Sequence, residues 1–336
     1  MKDYLEDYLK GKTVLITGGT GSIGCEIVKQ VLTHEVSDVV VFSRDEIKHF
    51  LMKKRICDEK LHTVVGDVRD FRSVRQVFHS YDFDLVYHAA AMKHVNVCEE
   101  SPIEAAKTNV WGTQNVVDAA VEHNIQTCIT ISTDKSVYPM NVMGATKFIA
   151  EKITLNAGYS CVRFGNVANS RGSVIPVFID NLVNRNALVV SCRDVTRFLM
   201  RIEDAVRLIT TASSYAKGGE VFILKMKAFR LGDLLDVITE EVGPELGIPF
   251  SDIDVRLIGL VPGEKLHEAL IDESELDRVY EIDDMYVVLP RNRREEHMKK
   301  VELCQYVSKD VDLLSKREIK DLVIEYLIMQ RRDLNE

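Results

Sequence analysis

The stretch TVLITGGTGSIGCEIVKQVLTH, Thr13 to His34, decides the fold. TVLIT is an unbroken apolar and β-branched run, the pattern of a strand buried on both faces. Four glycines follow, at positions 18, 19, 21 and 24, and CEIVKQVLTH then shows helical apolar spacing. The glycines satisfy two patterns at once, Gly19-x-Gly21-x-x-Gly24 and Gly18-x-x-Gly21-x-x-Gly24. Either is weak alone and gains meaning from closing a strand and opening a helix. Glycine lets the backbone turn tightly and approach a pyrophosphate, whose charge then meets the helix N-terminus. Gly18, Thr20, Gly21, Ser22, Ile23 and Gly24 are therefore candidate nucleotide-binding residues.

The same alternation continues downstream. DVVVFSR, TVVGDVRD, DLVYHAAA, TCITIST and SCVRFGN read as further strands, with helical segments between them, among them PIEAAKTNVWGTQNVVDAAVEHN and MGATKFIAEKITLNA. Strand–helix repetition over about 165 residues implies an α/β fold with a doubly wound parallel sheet, the Rossmann arrangement. Mixed segments after it suggest a smaller, partly interleaved C-terminal substrate lobe. The expected division is 1–168 for nucleotide binding (with later segments returning to it), 169–290 for the lobe and 291–336 for a helical tail. KDVDLLSKREIKDLVIEYLIMQRR reads as an amphipathic pair of helical segments, and MKDYLEDYLKGK as a short amphipathic helix ended near Gly11.

Composition narrows the function. The chain has 336 residues, 46% hydrophobic and 28% charged, with a net charge of −9. That balance suits a globular protein and excludes a general nucleic-acid binder, which would be basic. The seven cysteines are scattered without a CxxC pair, so a reducing compartment fits better than a disulfide framework, and most should be buried small apolar residues. No apolar run reaches the ~18–20 residues that a bilayer span needs, and the N-terminus lacks a signal-peptide core. The expectation is a cytoplasmic protein with no membrane span and no metal.

The second strand ends in FSRDE. A carboxylate at a strand tip here favours NAD by bonding the ribose 2′-hydroxyl. Ser43 and Arg44 come first instead, with Lys48 a turn later, and a guanidinium beside a hydroxyl suits a 2′-phosphate. NADP is expected rather than NAD, with Asp45 and Glu46 as the counter-indication. Asp67 and Val68 fall where a third strand meets the adenine. Ala89, Ala90 and Ala91 keep the fourth strand's end small enough for the backbone to pass close to a cofactor.

These motifs resemble the extended short-chain dehydrogenases/reductases, and more closely the nucleotide-sugar 4,6-dehydratases of bacterial surface-polysaccharide synthesis. FSRDEIK, HAAAMKHV, TNVWGTQNV, STDKSVYPMNVMGATK, RFGNVANSRGSVIPVF, TRFLM, GEVFILKM and PGEKLHE match that group in order. In the superfamily a tyrosine lies four residues before the active-site lysine; here the pair is Met143 and Lys147. Methionine cannot take a proton, but several UDP-N-acetylglucosamine 4,6-dehydratases share this replacement, and the chain resembles the short, soluble ones.

The resemblance implies a redox-neutral reaction. Hydride leaves C4 of the sugar for the cofactor, water is lost across C5–C6, and hydride returns to C6, with or without inversion at C5. Asp134 would be the acid, Lys135 the C5 base, and Thr133 a partner of the 4-hydroxyl. Lys147 would hold the nicotinamide ribose and stabilise charge on the C4 oxygen, and Asn109 would join the cofactor set. The proton of the 4-hydroxyl is left to Lys135 or Asp134, with Tyr138 as a competitor. Tyr138 precedes Pro139 and is expected to be extended. Met92, Lys93, His94, Asn166, Arg171, Ser173, Val174, Arg197, Lys225 and Glu264 would bind a UDP-N-acetylhexosamine. Relatives carry arginine before PGEK where this chain has Val261, so Arg185, Arg256 or Lys227 would have to replace that cation. Symmetric homo-oligomers, hexamers among them, are expected by the same resemblance. A nucleotide-sugar 4-epimerase and a non-catalytic NADP-binding sensor or scaffold are the alternatives. The TDK motif speaks against the first, and the retained Asp134, Lys135 and Lys147 against the second.

Overall fold

The computed structural model describes residues 2–295 and 298–333. The chain divides into two units. Unit 1 is Met1–Phe164, Glu203–Lys225 and Asp272–Cys304; unit 2 is Gly165–Ile202, Met226–Ile271 and Gln305–Glu336.

Unit 1 is built on a ten-stranded sheet. Its strands are β1 (Thr13–Thr17), β2 (Asp38–Ser43), β3 (Leu61–Val65), β4 (Leu85–His88), β5 (Thr127–Thr133), β6 (Ser160–Phe164), β7 (Val221–Leu224), β8 (Val279–Ile282), β9 (Met285–Val288) and β10 (Lys299–Lys300). The order is β10-β8-β9-β7-β6-β5-β4-β1-β2-β3. All pairings from β3 to β7 are parallel, and β9, β8 and β10 continue the sheet antiparallel. The order reverses between β1 and β4, which makes their carboxyl ends the switch point where ligands bind in such sheets. The expected Rossmann architecture is therefore present.

The helices of unit 1 are α1 (Lys2–Leu9), α2 (Ser22–Leu32), α3 (Glu46–Ile56), α4 (Phe71–Ser80), α5 (Val95–Glu100), α6 (Pro102–Ala106), α7 (Gly112–Glu122), α8 (Val142–Asn156) and α9 (Ile202–Tyr215). Val74, Val77 and Phe78 of α4 and Val116 and Val117 of α7 pack with Leu15, Val40 and Val86 of the sheet. Each such buried side chain contributes about 1.5–3 kcal/mol over its exposed state. α1 ends as expected, with Gly11 left-handed at φ +71°.

Unit 2 has a three-stranded sheet of Asn166–Val167, Thr196–Met200 and Ala228–Arg230, and a parallel pair of Leu188–Val190 with Val255–Leu257. Its core joins Ile175, Phe178 and Leu182 of the helix Val174–Val183 to Leu234, Leu235 and Ile238, and to Ile319, Leu322 and Val323 of the helix Lys316–Asp333.

Four details differ from the sequence reading. The blocks 169–290 and 291–336 are not contiguous lobes. β7 pairs in parallel with β6 and draws 203–225 into unit 1, while Lys316–Asp333 buries its apolar face in unit 2. The final amphipathic pair is one helix: Leu313 bridges Ala228, and the Leu314 N–H donates to the Ala228 carbonyl at 2.7 Å, so that segment runs extended. Residues 334–336 of the expected tail lie outside the described residues. The long helix from Pro102 carries a π-turn, Lys107–Trp111, between α6 and α7. Of the seven cysteines, all free, only Cys98, Cys128 and Cys161 are buried.

The glycines of the first turn divide by role. A Cβ on Gly18, at φ +66°, would lie 2.6 Å from the Ala90 Cα. One on Gly24 would collide with the Gly18 carbonyl and sit 2.6 Å from the Gly19 Cα. One on Gly21 would meet only the Gly18 carbonyl oxygen, at 3.2 Å. Gly24→Ala should therefore destabilise the protein by about 1–3 kcal/mol, as overpacking does, while Gly21→Ala should leave urea unfolding close to wild type. Equal midpoints for the two variants would refute this division.

Candidate active site

The carboxyl end of β1 comes first. Gly18 donates its N–H to the Phe42 carbonyl at 2.8 Å and lies against Ala89–Ala90, so the tips of β1, β2 and β4 are drawn together. Only glycine fits such a contact. Gly21 is the N-cap of α2, whose first turn holds Ser22, Ile23 and Gly24, and a helix N-terminus favours an anion.

At the tip of β2, Ser43 Oγ lies 2.9 Å from Thr20 Oγ1 and 2.6 Å from His49 Nε2. Arg44 is more than half exposed and lies 3.8 Å from Asp67. Asp45 is turned to structural work: it caps α3 by accepting from the Lys48 N–H at 3.1 Å and pairs with the Lys48 ammonium at 2.8 Å. The carboxylate that spoke for NAD is therefore already engaged. Asp67 takes the Arg69 N–H and guanidinium, which hold its carboxyl below the usual range against the opposing effect of burial. Val68 is buried and receives Asn115 Nδ2 on its carbonyl.

The π-turn explains Asn109. An extra residue in the helical turn aims its carboxamide inward. There Oδ1 accepts from the Met92 N–H at 2.8 Å, while Nδ2 donates to the Met92 carbonyl and to Thr146 Oγ1, both at 3.0 Å. Asn109 thus pins the segment after Ala91 to α8. His94 starts α5, with its ring pushed to lower pKa by burial and by Lys93.

β5 ends at Thr133, and Asp134–Ser136 form a single 3-10 turn. Asp134 is fully buried. Its Oδ1 accepts from Thr133 Oγ1 at 2.9 Å and from Lys135 Nζ at 3.0 Å, while Oδ2 is without a partner among the described residues. Asn141 caps α8 by accepting from the Gly144 N–H at 2.8 Å, and this orients Met143 and Lys147 on one helix face. Met143 packs with Cys98, Ala105, Met92 and Val95 as an apolar plug. Lys147 is buried, donates to the Ile131 carbonyl at 2.5 Å, and burial lowers its pKa to about 8. Tyr138 is not extended: its φ is +47°, and its hydroxyl accepts from the Glu273 N–H at 2.7 Å. That bond fixes the turn against the pre-proline preference for extended backbone.

Sequence reasoning missed what lies beneath this turn. Glu151, one helical turn past Lys147, accepts from the hydroxyls of Ser132 and Ser136. Arg163 of β6 grips Glu151 through Nε at 3.0 Å and Nη2 at 2.7 Å, and Glu275 through Nη1 at 2.9 Å. The available signal was the charge in SCVRF: an arginine inside a buried strand requires a buried partner.

Unit 2 holds most of the expected substrate residues. In the loop after Asn166, Asn169 and Gly172 are left-handed at φ +58° and +72°, Arg171 is exposed, and Ser173 begins the helix Val174–Val183 with its Oγ buried and unbonded among the described residues. Arg197 donates to Glu264 at 3.2 Å and to the Thr196 carbonyl at 2.9 Å; Glu264 also accepts from Ser191 at 2.9 Å and from the Val261 N–H at 3.3 Å. Lys225 belongs to unit 1 and pairs with Glu281. The cations considered as substitutes at Val261 are each engaged: Arg185 with Asp252 at 3.5 Å, Arg256 with Asp254 at 2.6 Å and Lys227 with Glu318 at 2.8 Å. No group of three or more metal-ligating side chains and no membrane-crossing helix occurs among the described residues.

The switch-point glycine turn, the Thr133–Asp134–Lys135 turn and the buried Lys147 define an extended short-chain dehydrogenase/reductase resembling the nucleotide-sugar dehydratases. The chain belongs to the family described as "Polysaccharide biosynthesis protein", whose profile matches residues 14–290. It is 43% identical over 330 residues, 96% of this chain and 98% of the relative, to a Methanocaldococcus jannaschii protein named "Uncharacterized membrane protein MJ1061". It is 35% identical to a Rickettsia canadensis UDP-glucose 4-epimerase, covering 93% and 95% of the two chains. It is 36% identical to a Campylobacter jejuni UDP-N-acetylglucosamine 4,6-dehydratase (inverting), covering 83% of each. The X-ray structure of Pen from Bacillus thuringiensis superposes with a TM-score of 0.88 at 36% identity, over 95% of this chain and 99% of that one.

Burial lowers the proton affinity of Lys147 against the weaker opposing pull of Cys161 and Glu151, so the folded protein binds fewer protons than the unfolded chain between pH 8 and 10.5. The penalty on folding is full below pH 8 and relieved as pH rises through that window. In carbon-13 NMR of lysine-labelled protein, the resonance lost in Lys147→Met should titrate near pH 8. A midpoint near the ordinary lysine value would refute this.

Proposed function

We propose that the protein is an NADP-dependent UDP-N-acetylglucosamine 4,6-dehydratase that supplies a precursor for surface polysaccharide. One observation carries the reading: the superfamily's tyrosine position is an apolar plug, while an acid, a lysine and a hydroxyl converge at the end of β5. That set suits elimination of water rather than simple oxidation.

The cofactor residues fit their role in the fold's own terms. Gly21 has no left-handed φ, and a Cβ there would meet only the Gly18 carbonyl oxygen, at 3.2 Å, so its missing side chain suits a pyrophosphate. A bound nicotinamide nucleotide would supply an acceptor and return donor for hydride. Ser43 and Arg44, with Asp45 withdrawn to cap α3, favour a 2′-phosphate. Lys147, partly neutral near pH 8, would hold the nicotinamide ribose and offset charge growing on O4.

Lys135 is the reachable base: its side chain is 19% exposed, whereas Asp134 is 0% exposed. Through Thr133 it would take the proton of the 4-hydroxyl and hand it to Asp134, 3.0 Å away, and, neutral again, it would then take the C5 proton. Asp134, so protonated, would give that proton to the departing 6-hydroxyl, which leaves as water. The buried, unbonded Ser173 hydroxyl at a helix N-terminus and the exposed Arg171 suit a diphosphate. Inversion at C5, a cytoplasmic location and a symmetric homo-oligomer are parts of the same reading, supported by the resemblance. The Rickettsia relative keeps 4-epimerisation as the second reading.

Incubation with UDP-N-acetylglucosamine and NADP should give a product lighter by one water; a product of unchanged mass would favour the epimerase. Lys135→Ala should abolish that product and Tyr138→Phe should not, and the reverse pattern would assign the base to Tyr138. Arg44→Ala should weaken NADP binding roughly 10- to 100-fold, the worth of one charge-assisted hydrogen bond, with little change for NAD in calorimetry. Equal losses for the two would remove the 2′-phosphate assignment.

A further inference from the structure

We infer that Glu151, held by Arg163, which Glu275 grips in turn, is a positioning residue that sets the Thr133–Asp134–Lys135 turn for chemistry. The role in chemistry rests on the dehydratase reading; the placement rests on geometry alone.

The residue is fully buried and lies four positions past Lys147 on α8. The two side chains therefore project from one helix face. Lys147 grips the carbonyl of Ile131, and Glu151 grips the hydroxyls of Ser132 and Ser136, so one face of α8 holds three positions that bracket the turn. Ser136 Oγ also lies 2.6 Å from the Thr133 carbonyl, so its one proton is shared between that oxygen and Glu151 and the turn is closed on itself. Both shoulders of Asp134–Lys135 thus depend on one carboxylate.

That carboxylate is kept charged from behind. Burial would raise its pKa, but the Arg163 guanidinium and the two serine hydroxyls overcome this and hold it below the usual range. Arg163 is the cross-strand partner of Ser132 in the parallel register of β5 and β6, so the sheet itself sets its distance from Glu151. Its other edge meets Glu275, whose Oε2 accepts from the Asp272 N–H at 2.9 Å within a capping box. The next residue, Glu273, donates its N–H to Tyr138. The network therefore reaches the turn a second time, at its far end.

A buried ion triad is a poor way to gain stability, because well-packed apolar groups of the same volume serve as well or better. What it supplies is fixed direction: both serine hydroxyls are drawn from the turn toward one carboxylate. It also sets the field at Lys147. That ammonium is faced by Glu151 from its own helix, by Cys161 from β6 and by His88 from β4, with the Asp134–Lys135 ion pair on the adjoining turn. Removing the Glu151 charge leaves Arg163 less compensated and lowers the affinity of Lys147 for its proton.

The test compares Glu151→Gln and Glu275→Gln with wild type as the full chain. Glu151→Gln should lower kcat for water loss at least tenfold with KM within about twofold, move the Lys147 NMR midpoint below its wild-type value, and speed hydrogen exchange in the 132–138 peptide. Glu275→Gln should do the same more weakly. Wild-type kcat, lysine midpoint and exchange in Glu151→Gln would overturn the inference. So would a uniform rise in exchange across unit 1 with the lysine midpoint unmoved, which marks general destabilisation. If wild type itself releases no water from UDP-N-acetylglucosamine, the dehydratase reading fails, and the lysine midpoint and peptide exchange, which need no substrate, still decide the positioning claim.

Discussion

Where β1 ends, backbone packs on backbone with no room for a side chain. Gly18 sits on Ala89–Ala90, and Gly24 sits on Gly18 and Gly19. This contact sets the separation of β1 from β4 at the reversal of strand order, and it starts α2 at an angle that aims its N-terminus outward. The other site elements in unit 1 are placed relative to this point by the parallel register of β4, β5 and β6. A side chain at Gly18 or Gly24 would displace two or three strand tips together.

The second constraint is electrostatic and lies under the β5 turn. Unit 1 buries Lys147, Glu151 and Arg163 within a sheet-and-helix core whose other members are mostly apolar. Buried charges persist only when each has a partner with good geometry. Glu151 and Arg163 are satisfied by each other, by Ser132, by Ser136 and by Glu275, whereas Lys147 has one carbonyl among the described residues and a pKa lowered by burial to about 8. The first pair is locked, and the lysine is far less compensated. Met143 belongs to neither set, since its packing against Cys98 and Ala105 makes it part of the wall.

Much of the site was legible because its residues cluster in short motifs. TGGTGSIG announced the glycine turn through its spacing between an apolar strand and a helical run, and STDK with MGATK put the acidic side chain and both lysines into sixteen consecutive residues, 132–147. Other positions were visible but not interpretable. Asn109 stood out in TNVWGT, yet its work of pinning Met92 to α8 needs the π-turn, which periodicity does not reveal. Asp45 looked like a rival ligand for the ribose until its cap on α3 was seen. Tyr138 read as extended, and a hydrogen bond from a residue 135 positions away holds it left-handed. The return of later segments to the first unit was expected, but not that they are 203–225 and 272–304, because pairing of β7 with β6 leaves no mark in either strand alone.

The sequence by itself determined the strand–helix alternation, the sheet class, the glycine turn and the motif that places acid and lysine at the end of β5. Each is local, set by hydrophobic period, by the absence of a side chain or by residues within a few positions of one another. Only the tertiary structure decided which groups stand beneath that motif, how the chain weaves between its two units, and that Lys147 is buried, which lowers its pKa to about 8. Those properties depend on desolvation and on partners as far apart as Arg163 and Glu275, 112 residues along the chain, and burial and long-range pairing exist only once the strands are in register.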